Sequence, residues 1–338
     1  MFTIHSLNKL LPFQKKMNRF ISRSLYSHAI LLSKTTPSIP IASIAQLRKA
    51  TEVSLSKAKE ALKATDGDVQ KAIEWLESNA AASGALKASK MASRTAAQGL
   101  VGLTVDPQGQ KASLIELNCE TDFVARSQAF GELAQRVGIT HLFFGSEGDL
   151  GMVGLAPLMP LDNTRVVPEK SVQESIVELV GKLGEKMEWR RGILQEASSE
   201  QECVNGYVHG ISDASLPSNL GRMAGLVTLQ VQSPVPMTKE QRDRVFLLAR
   251  KMAQHVVGFN PKSLLPEPNA EPEDALMNQS FLLGGGTVSQ VLNAESCRLG
   301  LDHVSIKDFS RMECGEGIEK QVDNFAQEVQ RQAGVLGG

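Results

Sequence analysis

Apolar residues recur at helical spacing in the first part of the chain and at strand spacing further on. Between 43 and 80, Ile44, Leu47 and Ala50 form one stripe, Ala58, Ala61 and Leu62 a second, and Val69, Ala72, Ile73 and Leu76 a third. Steps of three and four put each set on one face of a short helix. Ser54 can cap the second helix. Thr65-Asp66-Gly67-Asp68 ends it and opens the third, with Gly67 suited to a left-handed C′ position and Asp68 to an N-cap. The Ala/Ser/Lys-rich stretch 81–97 continues as a helical connector.

From residue 98 the period changes to two. Leu100, Val101, Leu103 and Val105 predict a strand, Asp106-Pro107-Gln108-Gly109 a turn, and Leu114, Ile115 and Leu117 the returning strand. A helix follows with Phe130, Leu133, Ala134 and Val137 on one side. The same order recurs. Tyr207-Val208-His209 and Leu226 to Val231 read as strands, and Thr238-Lys239-Glu240-Gln241 is a capping box opening a helix with Val245, Leu248, Ala249 and Met252 inward. Leu114–His141 and Leu226–His255 thus match as an internal duplication. The Gly- and Pro-rich stretch 142–170 reads as a loop or insertion, 171–187 as a helix, 260–300 as partly irregular, and 303–309 as a last strand. The expected fold is α+β: a three-helix domain at 43–80, then a duplicated core with antiparallel sheets, divided into 98–170 and 171–317, and a tail at 318–338.

Charge changes the picture at the N-terminus. Met1 to Thr51 holds no Asp or Glu, while Lys9, Lys15, Lys16, Arg19, Arg23 and Lys34 interleave with Phe2, Ile4, Leu7, Leu10, Leu11, Phe13, Phe20, Ile21 and Leu25. Basic, Ser-containing and acid-free, residues 1–40 have the composition of a mitochondrial transit peptide, which places the protein in the matrix. The whole chain carries a net charge of -1 and only 5% aromatic residues, which argues against a broad grip on nucleic acid or a stacking platform for single strands. Cys119, Cys203, Cys297 and Cys314 fit no zinc spacing and read as free thiols. No apolar run reaches the ~18 residues that span a bilayer.

Asp122-Phe123 stands where a strand ends and a helix begins, after Thr121 as a possible N-cap. Binding residues concentrate at such boundaries. Pattern alone favours structure instead: Phe123 as a core residue, and Asp122 as a first-turn acid complementing the helix dipole. An enzyme would need Cys119 as nucleophile with His141, His209, His255 or His303 as base, but no motif fixes their geometry, and no phosphate-binding loop of the G-x-x-x-x-G-K-[ST] type is present. Gly284–Gly286 reads as a flexible turn.

The stretch Asn118-Cys119-Glu120-Thr121-Asp122-Phe123-Val124-Ala125 resembles the signature of the elongation factor Ts family. Leu47 to Thr51, Lys59 to Leu62 and Gly67-Asp68 to Ala72-Ile73 are similar to its N-terminal domain, a bundle of the ubiquitin-associated type. Tyr207 to Gly210, Arg222 to Val227 and Ala253 to Val257 resemble its second core subdomain, and Phe309 to Gly317 the C-terminal end of its mitochondrial branch. The resemblance implies a non-enzymatic guanine-nucleotide exchange factor without cofactor, acting on mitochondrial elongation factor Tu. It implies that Asp122 and Phe123 wedge in near the partner's Mg²⁺, that Met223, Ala224 and His255 line the same contact, and that Arg48 and Leu55 make N-domain contacts. Glu52 stands where the family usually has Gly, and Ala58 where a Cys precedes Lys59. No charged heptad runs between 258 and 300, so a one-to-one complex is expected. A rival reading puts the function in the 43–80 bundle as a binding module.

Overall fold

The computed structural model describes residues 39–319 apart from 147–149, 162–169, 211–215 and 269–270. The expected transit peptide, but for residues 39 and 40, and the tail beyond 319 lie outside the described residues. The described residues open with three helices, α1 (Ile41–Thr51), α2 (Leu55–Ala64) and α3 (Val69–Met91). Their stripes close a small core of Ile44, Leu47, Val53, Ala58, Ala61, Leu62, Ala72 and Leu76. Ser54 Oγ accepts from the Lys57 amide, and the Asp68 carboxylate accepts from the amides of Gln70 and Lys71. These contacts satisfy N–H groups that a helix start leaves without partners.

The core begins with a hairpin, β1 (Gln98–Val105) and β2 (Lys111–Cys119). There follow α4 (Asp122–Ala125), α5 (Gln128–Phe144), α6 (Leu150–Leu155), α7 (Val172–Leu183) and β3 (Met187–Glu196). Next come β4 (Glu202–His209), β5 (Leu220–Gly221), β6 (Met223–Gln232), α8 (Lys239–Phe259), α9 (Val288–Leu299) and β7 (His303–Glu313). One sheet runs β3-β2-β1-β5 and the other β4-β6-β7. All these pairings are antiparallel. Each unit has one plan: a hairpin, two longer helices (α5 and α7, then α8 and α9), and a strand that returns beside the hairpin's second strand.

Alternation along the strands builds four layers. Leu100, Ile115 and Leu117 face α5 and α7. Val101, Leu103 and Leu114 face the second sheet, meeting Val204, Ala224, Leu226 and Met312. Val227, Leu229 and Val231 then face α8 and α9. The order is helices, sheet, sheet, helices. Between the sheets Gln195 donates to Asp308 and Ser310 and accepts from the Thr228 hydroxyl, which satisfies a buried amide.

The expected division of the core at 170/171 falls between helices that pack on the same sheet. α7 packs on the first sheet, and β3 pairs with β2 from Lys111↔Glu196 to Cys119↔Met187, so the first unit runs on through residue 196. Alternation could not reveal β3, because Arg190 and Arg191 interrupt its pattern. Their charges converge on Glu116, which is fully buried. Burial alone would raise that carboxyl. The Gly315 amide and the two guanidiniums outweigh it and hold the group below its ordinary range. The C-terminal turn after β7 is thereby fastened to the first sheet.

The α3 helix welds the bundle to the core. Its second half, the expected connector, lies on α7 so closely that a Cβ on Gly84 would sit 2.1 Å from the Val177 carbonyl oxygen. Lys87 Nζ also donates to the Gly181 carbonyl.

Candidate functional site: an anchored turn with an exposed phenylalanine

The β2 strand ends in Asn118 and Cys119, both buried. Asn118 Nδ2 donates to the Ala96 carbonyl, and the Cys119 thiol donates to the Thr121 carbonyl. Burial pushes that thiol well above the usual cysteine range, so it stays protonated. Its partner is backbone rather than any histidine.

Thr121 then starts α4 by accepting the Val124 amide on its hydroxyl oxygen. The same residue is held from across the fold. Its N–H donates to Glu185 Oε2 at 3.0 Å and its hydroxyl to Glu185 Oε1 at 2.7 Å. Glu120 accepts from the Lys186 amide at 2.7 Å and from Arg94. The α7–β3 corner therefore grips both residues that precede Asp122. On the far side of the turn Ala125 is buried in the core.

Between these anchors Phe123 is 82% exposed. The bland expectation of a core phenylalanine does not hold: Val124 and Ala125 turn toward the core and Phe123 away from it. Asp122 is half exposed and its carboxylate accepts from Arg126 at 2.7 Å. A large apolar ring held out on a turn fixed at both ends is a ready-made anchor for another surface, because burying it gives free energy without first ordering its support.

The remaining expected contacts divide into surface and interior. Arg48 is exposed and its Nε donates to the Val53 carbonyl, closing the turn into α2. Leu55 is 47% exposed at the start of α2. Met223 is half buried where β6 begins, with Sδ 3.3 Å from Arg311 Nη2. The neighbouring Arg222 donates to the carbonyl of Gly99, the residue paired with Asn118, so β6 starts at the same end of the molecule as the anchored turn.

Ala224 and His255, grouped with the contact residues on sequence, lie in the interior of this chain. Ala224 is enclosed between the sheets, and His255 is fully buried. His255 Nδ1 accepts from the Leu282 amide while Nε2 lies 2.9 Å from Gln279 Oε1, the arrangement of a neutral imidazole with its proton on Nε2. Burial depresses its pKa, opposed by the Gln279 bond. The bonds to Leu282 and Gln279, with the Phe281 ring tilted against the imidazole, hold the 279–282 segment against α8, where Phe259 of the same helix stacks on His255.

Sequence reasoning missed Glu185, Arg126 and the structural use of Glu52. Each acts through a partner distant in sequence or on the next helical turn, and no local pattern marks it.

With this geometry in view, the comparisons with known proteins identify the class. The family model described as elongation factor TS matches residues 120–268. A mitochondrial elongation factor Ts of Coprinopsis cinerea is 31% identical over 90% of this chain and 100% of its own length. One from Xenopus laevis is 33% identical over 82% of this chain and 87% of its own. An elongation factor Ts of Rhizobium meliloti is 29% identical over 86% and 97%. The chain is thus a translation elongation factor. It belongs to the elongation factor Ts family.

Proposed function

We propose that this protein binds mitochondrial elongation factor Tu in its GDP-bound state, one to one, and speeds release of GDP. The observation that carries the reading is the exposure of Phe123 on a turn whose two sides are fixed. Phe123 enters the partner's GTPase domain beside the bound Mg²⁺, and Asp122 exchanges Arg126 for donors on the partner. Mg²⁺ demands near-ideal octahedral geometry, so a small displacement of the elements that support its shell weakens GDP. Binding the nucleotide-free partner more tightly than the GDP form lowers GDP affinity by linkage, and GTP in turn expels the factor.

No bond of a substrate is made or broken on this chain, and it requires no cofactor. Arg48, Leu55 and Met223 add surface contacts, while Ala224 and His255 support the contact from within. Residues 1–40 direct the protein to the mitochondrial matrix, in keeping with the mitochondrial naming of several relatives.

Labelled GDP bound to mitochondrial elongation factor Tu tests the reading. Its release accelerates with the wild-type chain, and Phe123→Ala abolishes most of the gain with circular dichroism unchanged. Full acceleration by the folded Phe123→Ala protein would overturn it.

A further inference from the structure

Among the described residues, hydrogen bonds tie the three-helix bundle to the core at two places. The α3–α7 seam at Gly84 and Lys87 is one. The other is a single side chain. Glu52 follows α1 and accepts from the Gln128 amide at 3.3 Å and the Ala129 amide at 3.1 Å, the first two residues of α5. Ser127 Oγ takes the Phe130 amide, and the Ser127 amide donates to the Val124 carbonyl. The four N–H groups that α5 leaves open are thus all satisfied, two of them by another domain. A carboxylate here also faces the positive end of the helix dipole.

Glu52 holds this place at φ 56° and ψ 8°, a left-handed conformation that favours glycine and disfavours a side chain. A residue in that region persists where its surroundings over-determine it. Here the two amide bonds supply the reason. A cleft of about 330 Å³, lined by Lys49, Thr51, Glu77, Glu132 and Lys182 among others, lies between bundle and core around Glu52. With only the α3–α7 seam, the bundle could rock across this cleft. A second tie at α5 stops it.

We propose that Glu52 is a positioning residue that locks the bundle, with Arg48 and Leu55 on its surface, in fixed orientation to the Asp122-Phe123 turn. The partner then meets both as one preorganised surface. The proposal rests on the exchange reading above. A latch of this kind affects the fraction of molecules competent to dock, not the wedge itself, and so changes apparent affinity and not the maximal rate.

Glu52→Gly accepts the same backbone without strain and removes the latch, and Glu52→Gln keeps an acceptor oxygen without the charge. Spin labels at Lys63→Cys and Glu200→Cys, in a Cys297→Ser background, report the bundle-to-core distance by pulsed resonance. GDP release is titrated in parallel with unlabelled variants. Glu52→Gly is expected to broaden the distance distribution and raise the half-saturating concentration roughly tenfold at an unchanged maximal rate. Glu52→Gln should recover part of both. A distribution as narrow as wild type, or an unchanged half-saturating concentration, overturns the latch. Failure of the wedge reading has a separate signature, undiminished release with Phe123→Ala, and leaves the distance result to be read by itself.

Discussion

The two core units share a plan, yet they differ where the second hairpin strand hands over to the helix. In the first unit that junction is Thr121 to Ser127, in the second Ser233 to Thr238. Both expose an apolar residue, Phe123 at 82% and Val235 at 63%. In the second unit the junction bonds mainly to itself: Ser233 Oγ donates to the Val235 carbonyl, and Gln201 adds one bond to the Ser233 carbonyl. In the first unit, residues from remote elements converge: Glu185 on Thr121, Lys186 on Glu120 and Glu52 on the helix that follows. Exposure of an apolar residue is therefore not the distinguishing feature. Anchorage is, because only a residue on a fixed support can displace part of a partner instead of being pushed aside.

The contrast can be broken or sharpened by substitution. The largest effect should come from the ion cluster that is particular to the first sheet. Glu116→Ala removes the buried carboxylate shared by Arg190 and Arg191 and leaves the Gly315 amide without its acceptor, at a cost of about 3 kcal/mol measured by chemical denaturation. Across the second sheet the comparable pair, Lys307 with Glu202, has its lysine 40% exposed. Lys307→Ala leaves the buried Glu202 carboxylate with Ser198 alone and should cost about 1–2 kcal/mol in the same assay. Equal losses would remove this asymmetry between the units.

Next in size is a pH effect. His141 is buried against Trp189, and burial, aided by Lys111, lowers its pKa to about 4. His255 is lowered by burial as well. The unfolded chain therefore binds protons before the native chain does as pH falls below the ordinary histidine value. Stability is fully present above that value and is lost as pH falls toward 4, by roughly 3 kcal/mol for His141. Replacing His141 by Gln should flatten the slope of denaturation midpoint against pH over this window, and an unchanged slope would show that another group titrates.

The smallest effects compare the two caps. Thr121→Ala removes an N-cap and the short bond to Glu185, and should cost about 2 kcal/mol. Thr238→Ala removes a capping box in which Thr238 itself bonds only to Gln241, and should cost about 1 kcal/mol. Thr121→Ala should also slow exchange and Thr238→Ala should not.

Much of this fold was legible because its stripes are regular. The three bundle helices, both hairpins and the helices led by Phe130 and Val245 all follow simple periods. β3 escaped because paired arginines occupy its middle, and their partner Glu116 lies on another strand. α9 escaped because proline and glycine on its N-terminal side suggested irregular chain, although Thr287 and Gln290 form a capping box there. Which hairpin a returning strand joins depends on pairing, which adjacency in sequence does not give. At the site, Asp122-Phe123 was legible as an element boundary, but not that Phe123 points outward. Glu185 reaches Thr121 across 64 positions, a separation that no window of local pattern spans. Ala224 and His255 matched the family pattern, and only packing distinguishes a buried match from an exposed one.

The central claim is that an anchored phenylalanine, and not an exposed apolar residue in general, drives exchange. Release of labelled GDP from mitochondrial elongation factor Tu with Phe123→Ala and Val235→Ala side by side tests it most directly. The account predicts a loss of tenfold or more for Phe123→Ala, in line with about 2 kcal/mol of lost ring burial, and wild-type release for Val235→Ala. Wild-type release by a folded Phe123→Ala protein, or equal losses in both variants, would contradict it.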